Sequence, residues 1–466
     1  MKKYLLAILW GICLLPINAI GQTLSMSIEE AKQRALAAHQ KMKMAEERIN
    51  VAHYTQKALK TNSLPKVAAT GIAYYATHNK KQTWDLGKIS LPSSALEKMQ
   101  GLAQQFPQIV PLLEHFSGGI SIPPFQYQLK TGNTYFASVF LEQPIYTGGK
   151  ITAGNKMGEI GERMAKQSFR LSQEEVCLEV EEAYWKLVEV RELQATAMAY
   201  TKTIDELHRV VNNAVNEGLR TKADVLRVEV EQSKANLQLE RVKHGVQLAT
   251  MNLCRVTGLP QDTELLPTSV VEDKIQPVLT VEGDLSARPE LALLEEKVAM
   301  KRAEEKMKRS DFLPQIGIRA GYNYVRGLRI NDKLLLNEGT PSVMVSVQVP
   351  IFNWGEGKNK VRAAQSEVKI ALAEKQEAEE KMRLEQQQAY HYCIEQQLAV
   401  ELTRKNVLQA EELNRQVRNR HEAGLDTTAD LLEVEALLTK AKSDYITAKS
   451  EYRIAQTKLK KALGEL

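Results

Sequence analysis

Two patterns of apolar positions alternate along this chain, one helical and one extended. From 150 to 216 apolar residues recur at steps of three and four without a proline, and Val176, Val180, Ala183, Leu187 and Val190 form one such stripe. About 65 residues at ~1.5 Å each make a rod on the order of 100 Å long. A rod of that length cannot bury its stripe against a compact core, so it needs other rods beside it. Near 315 the period changes to two. Ile316, Ile318, Ala320, Tyr322 and Tyr324 alternate with Gln315, Gly317, Arg319, Gly321 and Asn323, and Val343, Val345, Val347 and Val349 alternate with Ser342, Met344, Ser346 and Gln348. Weaker versions run over 67–75 and 135–141. Strands of this length, tilted, suffice to cross a bilayer.

The same elements occur twice. Glu142-Gln-Pro-Ile-Tyr-Thr-Gly-Gly-Lys150 matches Gln348-Val-Pro-Ile-Phe-Asn-Trp-Gly-Glu356, and Glu217-Gly-Leu-Arg-Thr-Lys-Ala-Asp-Val-Leu226 matches Ala423-Gly-Leu-Asp-Thr-Thr-Ala-Asp-Leu-Leu432. Pro144 and Pro350, Gly218 and Gly424, and Gly258 and Gly464 all stand 206 residues apart. Leu64-Pro-Lys-Val and Leu313-Pro-Gln-Ile are offset by 249, so the first unit carries 43 extra residues. That material lies at about 77–131 as a long outer loop, broken by Leu-Pro, Gly-Gly and Pro-Pro, with a short helix expected at 95–116. The expected organisation is a first repeat over 22–260, a connector over 261–285 and a second repeat over 286–466. Each repeat reads helix, two strands, long helix, tight turn, helix.

Capping signals place the helix ends. Ser27-Ile-Glu-Glu30 opens the first helix, expected to reach about 62, and Thr221-x-x-Asp224 and Thr427-x-x-Asp430 open the return helices after Gly218 and Gly424. A return helix stacked end to end on a leading helix (27–62 or 286–313) nearly matches one long rod, which gives four rods per chain. The proline-rich stretch 260–289 is expected to wrap the outside.

Composition and the first residues narrow the setting. Lys2-Lys3, the apolar run from Tyr4 to Leu15 and Ala19-Ile20-Gly21 have the form of a signal peptide over 1–21, with Gln22 as the expected first mature residue. Trp10-Gly11-Ile12 ahead of Cys13 fits a lipid-anchor site poorly. A formal charge of +5 is too small to argue for nucleic acid. Cys177, Cys254 and Cys393 read as free thiols on helices. Four amphipathic strands cannot close a barrel, because the smallest known have about eight. Since open edges are not tolerated in lipid, several chains must share one barrel.

These features resemble the TolC-like outer membrane efflux proteins. The resemblance rests on Ser27-Ile-Glu-Glu-Ala, Arg288-Pro-Glu-Leu, the two Leu-Pro strand openings, the two Pro-Ile-aromatic turns and the two Gly-Leu-x-Thr-x-x-Asp tips, in that duplicated order. It implies a mainly α fold with a small transmembrane β part: a homotrimer with a shared 12-stranded outer-membrane β-barrel and an α-helical tunnel. It further implies outer-membrane lipid around the barrel, a periplasmic adaptor, and an inner-membrane pump of the resistance-nodulation-division, ABC or another type. Acidic residues at the return-helix starts would line a periplasmic gate, here Asp224, Asp430 and Glu433. The tips Gly218, Leu219, Arg220 and Thr221, and Gly424, Leu425, Asp426 and Thr427, would meet the adaptor. Asp426 stands where the best-known member has a basic latch residue, and His421 where it has a tyrosine, so any latch is wired differently.

No catalytic constellation, cofactor motif or metal-ligand spacing is read from the sequence. Tyr146-Thr-Gly-Gly-Lys150 lacks the glycine and the Ser or Thr of a phosphate loop and reads as a strand-to-helix corner. The run 374–385 reads as a solvated helix face. Two rival readings are a periplasmic coiled-coil adaptor and an exported scaffold without a pore. The first predicts Gly-rich β-domains that are not seen, and the second leaves the amphipathic strands without purpose.

Overall fold

A computed structural model describes residues 24–75, 80–84, 87–118, 120–130, 134–269, 284–330 and 333–466. The expected signal peptide lies outside them. In chain order the elements are β1 (Leu24–Met26), α1 (Ile28–Ala38), α2 (Gln40–Lys60), β2 (Lys66–Tyr74), β3 (Lys80–Trp84), β4 (Lys88–Ile89), α3 (Ser93–Gln105), α4 (Val110–Ser117), β5 (Ile120–Ser121), β6 (Phe125–Lys130) and β7 (Thr134–Tyr146). They continue with α5 (Lys150–Asn216), α6 (Lys222–Thr257), β8 (Leu265–Pro267), α7 (Pro289–Ser310), β9 (Gln315–Ile330), β10 (Lys333–Gln348), α8 (Glu356–Glu422) and α9 (Thr428–Leu463). Helices α5 and α8 have 67 residues each, and α6 and α9 have 36 each. The chain divides into a helical unit within Met1–Lys57, Gly154–Glu305 and Arg362–Leu466, and a β-rich unit within Ala58–Ala153 and Lys306–Val361.

In the helical unit, the stripe foreseen on α5 is the heart of the packing. Val176, Val180, Tyr184 and Leu187 are fully buried with Ala31 and Ala35 of α1 and Leu253, Cys254 and Val256 of α6. Burial of each such aliphatic side chain contributes about 1.5–3 kcal/mol. A second core joins Cys393 and Val400 of α8 to Tyr452, Ala455 and Leu459 of α9. The capping box of α1 is present, with the Glu30 carboxylate accepting from Ser27 N at 2.8 Å and Ser27 Oγ accepting from Glu30 N at 3.3 Å. The single helix expected to reach 62 is instead two. It breaks at His39, whose backbone is extended and whose Nδ1 accepts from Lys41 N at 3.1 Å, so the imidazole caps the start of α2.

The connector begins with a strand, because β8 pairs in parallel with β1 and Leu265 is buried. The buried Tyr184 hydroxyl donates to Met26 O at 3.0 Å and accepts from Ser269 N at 2.9 Å, while Arg191 donates to Leu265 O at 2.7 Å. Residues 270–283 of the connector lie outside the described residues. The run 374–385 is likewise more than a solvated face. Met382 is buried, Glu374 pairs with Lys297 at 2.6 Å, and Lys375 pairs with Glu295 at 2.9 Å.

The β-rich unit is built on four long antiparallel strands in the order β2–β7–β9–β10. Their register aligns one apolar face across all four. Val67, Leu141, Ala320 and Val343 form one row, Ala69, Val139, Tyr322 and Pro341 the next, and Gly71, Ala137, Tyr324 and Gly339 a third. The face continues through Ile318 and Val345 to Ile316 and Val347, about 26 Å along the strand. Among the described residues nothing covers its outer strands: Val67 is 70% exposed, Val343 76% and Val345 62%. The expected helix at 95–116 is two helices, α3 and α4, divided where Pro107 follows Phe106. Both lie in the insertion between β2 and β7, and parts of that insertion fall outside the described residues.

Each Pro-Ile-aromatic motif turns a strand into a long helix. At the first corner Gly148 has φ +62, and a Cβ there would lie 2.6 Å from Leu313 Cβ and 2.7 Å from Ser310 O. Only glycine fits that approach. Lys150 pairs with Asp311 at 2.8 Å, which gives the phosphate-loop look-alike a structural role. At the second corner Ile351, Phe352 and Trp354 are exposed, with the Phe352 and Trp354 rings 4.9 Å apart.

Candidate functional site: the helical tips

The two helical hairpins end in nearly identical turns. Helix α5 closes with Leu219 N donating to Ala214 O at 2.8 Å and Gly218 N to Val215 O at 3.0 Å. Helix α8 closes with Leu425 N donating to Arg420 O at 2.8 Å and Gly424 N to His421 O at 3.0 Å. Gly218 and Gly424 both have φ +74, the left-handed conformation that this C-cap demands. The cap satisfies the last carbonyls of each long helix and directs the chain into the return helix. Leu219 and Leu425 are left 76% and 72% exposed.

The return helices start with the predicted carboxylates. Thr221 N and Oγ1 donate to Asp224 Oδ2 at 3.1 and 2.7 Å. Thr427 N and Oγ1 donate to Asp430 Oδ2 at 2.9 and 2.6 Å, and Asp430 N donates to Thr427 Oγ1 at 3.2 Å. Hydrogen bonds from the threonine hydroxyls hold both Asp224 and Asp430 below the usual carboxylate range, so both are charged at neutral pH. Glu433 lies one turn further along α9 and is exposed. Capping and charge display therefore coincide in the same aspartates.

Beneath the turns the hairpins share one apolar core. Ile204, Leu207 and Val211 of α5 meet Val225 and Val228 of α6 and Leu431 and Val434 of α9. This packing fixes the carboxylate-bearing starts of α6 and α9 relative to each other. Two polar features close to it were not foreseen. Glu435, only 5% exposed, is paired with Arg418 of α8. Asp426, expected at the adaptor surface, is mostly shielded and pairs with Arg420 of its own hairpin at 2.9 Å. His421 is buried, and burial together with the positive field of Arg220 lowers its pKa. The spacing of Arg418 and Glu435, on opposite sides of Gly424, was the one sequence signal for that pair. It becomes visible only once the hairpin is folded back about its tip.

The arrangement contains no reactive constellation. Among the described residues no group of three or more His, Cys, Asp or Glu is placed to hold a metal ion. Cys254 and Cys393 are buried free thiols and Cys177 is half-buried. Also among the described residues, no helix is long and apolar enough to cross a membrane.

The model of the outer membrane efflux protein family matches residues 31–259 and 283–465, both hairpins and all four long strands included. The chain belongs to that family. Among curated proteins it is similar to the alkaline protease secretion protein AprF of Pseudomonas aeruginosa, 23% identical over 72% of this chain and 70% of AprF. It is also similar to the outer membrane efflux protein BepC of Brucella suis, 22% identical over 65% of this chain and 66% of BepC. Its fold is that of the Campylobacter jejuni CmeC outer membrane channel (TM-score 0.74, 15% identity, 94% of this chain and 85% of that one). The Vibrio cholerae outer membrane protein VceC shares it as well (TM-score 0.69, 15% identity, 94% and 96%). As a member of that family, the chain is an outer-membrane exit conduit.

Proposed function

We propose that three copies of this chain pool their strands into one 12-stranded barrel and their rods into a helical tunnel. The assembly is a passive exit duct in the outer membrane, supplied by a periplasmic adaptor and energised by an inner-membrane pump. The observation that carries this reading is the four-stranded sheet. Among the described residues β2 pairs only with β7 and β10 only with β9, so both outer edges keep unpaired backbone groups beside an uncovered apolar face. In lipid each unpaired group costs several kcal/mol, and only closure with further strands removes that cost. The apolar face runs about 26 Å along the strand, which suits the ~25 Å apolar band of such barrels. Exposed Phe352 and Trp354 at the second corner suit the aromatic girdle at a membrane–water boundary.

The tips serve this duct in two ways. Asp224, Asp430 and Glu433 form the periplasmic gate, where copies meeting around an axis concentrate negative charge and attract cations. Gly218, Leu219, Arg220, Thr221, Gly424, Leu425, Asp426 and Thr427 form the adaptor contact, with Leu219 and Leu425 as its apolar anchors. The family identification and the AprF and BepC resemblances support export of a small molecule or a polypeptide alike. The test has two arms. Asp430→Ala with Glu433→Ala raises single-channel conductance in planar bilayers and weakens block by divalent cations; unchanged values for both remove the gate assignment. A mature protein that is a monomer in water without detergent removes the duct itself.

A further inference from the structure

The face of the sheet opposite the apolar one carries its own pattern, and this inference rests on the barrel reading above. The register places Lys66, Glu142, Arg319 and Met344 in one row across β2, β7, β9 and β10. Arg319 pairs with Glu142 at 3.2 Å, and its guanidinium also lies over the Phe140 ring, 4.5 Å from the centroid. Phe140 is opposite Gly321, where a Cβ would come within 2.8 Å of Val139 O and 3.0 Å of Phe140 Cβ. A side chain at 321 would crowd the base of Phe140, and the glycine leaves that space free. Arg319 is thus held from two sides, by a carboxylate and by an aromatic face.

We propose that this row is an anion-selecting tier on the inner wall of the barrel, with Lys66, Glu142 and Arg319 as the selectivity-determining residues. Two cations and one anion leave one net positive charge per copy at this level. A closed barrel repeats the row around the lumen, and rings of Lys and Arg favour anions in narrow pores. The tier is opposite in sign to the carboxylates at the tips. Its preferred solutes are inorganic anions and organic molecules bearing carboxylate, sulfonate or phosphate groups.

The measurement is the reversal potential of the purified full-length channel in planar bilayers under a KCl gradient. The dilute side is kept near 0.1 M, where a charge is felt over ~10 Å. Each variant is made in the wild-type protein and again with Asp430→Ala and Glu433→Ala, so that the tip acids do not mask the wall. Glu142→Gln raises the chloride-to-potassium permeability ratio about twofold or more, while Lys66→Gln and Arg319→Gln lower it by a similar factor. Arg319→Lys returns the ratio that Arg319→Gln loses, and in 1 M salt, where the screening length falls to about 3 Å, the differences shrink. Variants of opposite charge that move the ratio in the same direction, or not at all, overturn the tier while leaving the duct intact. A purified trimer that opens no conducting path overturns both.

Discussion

Removing Arg418 strands a buried charge, and the consequence can be worked from burial alone. Glu435 is 5% exposed while the Arg418 side chain is 48% exposed, so the two halves of the pair are not equivalent. Arg418→Met leaves a carboxylate inside the tip core, beside the packed Leu431 and Val434, without its cation. Breaking a fully buried pair costs about 3–5 kcal/mol. Because Arg418 is half in water and its attraction is partly screened, roughly 1–3 kcal/mol is expected here. Glu435→Gln costs less, since the arginine left behind can turn to solvent and the amide can still accept a hydrogen bond. Arg418→Met with Glu435→Gln then recovers much of the loss. Hydrogen exchange of 411–440 followed by mass spectrometry reads this directly, because local opening governs exchange there. At about 1.4 kcal/mol per factor of ten, Arg418→Met speeds exchange roughly 5- to 150-fold, and the double variant brings it back toward wild type. If Glu435→Gln is as damaging as Arg418→Met, or if the double variant is worse than either, burial is not what sets the cost.

Other expectations follow from the same geometry. Because burial and Arg220 hold the His421 pKa below its ordinary 6.5, the folded tip favours the neutral imidazole. Its stabilisation is full above about pH 6.5 and falls as pH drops toward the folded pKa. Proteolysis at 417–427 therefore increases between pH 7.5 and pH 5, and His421→Gln flattens that dependence. At the first strand-to-helix corner, Gly148→Ala combines left-handed strain with contacts under 3 Å to Leu313 and Ser310 and greatly lowers the yield of folded, detergent-extracted protein. Gly149→Ala, with φ +89 but open space around it, costs about 1–2 kcal/mol from backbone strain alone, and its yield falls far less than that of Gly148→Ala. Leu219→Asp with Leu425→Asp leaves assembly intact but abolishes export and adaptor co-purification; normal export in that variant removes the tips from the adaptor contact.

What could be read in advance was whatever depends on local periodicity. The limits of α5, the starts of α6 and α9, and the apolar alternation of β9 and β10 all follow from residues within a few positions of one another. The aspartates of the tips were legible for the same reason, since a capping box spans four residues. What escaped was set by side chains meeting across long separations or by competing local bonds. Nothing in the apolar pattern of 27–62 separates a continuous helix from one broken at His39, because the break comes from an imidazole accepting Lys41 N. The prolines of the connector gave no hint of a strand within it. Yet Tyr184, far away on α5, supplies a hydroxyl that ties Met26 and Ser269 together and makes β1 and β8 a ribbon. Asp426 was placed among the adaptor-contact tips by resemblance, and its pairing with Arg420, six residues earlier across the Gly424 cap, has no local signature in the sequence. The same limit explains why the charge row across β2, β7 and β9 was invisible in the chain. Lys66, Glu142 and Arg319 are separated by 76 and 177 residues, and only the register of three strands turns them into neighbours with a net sign.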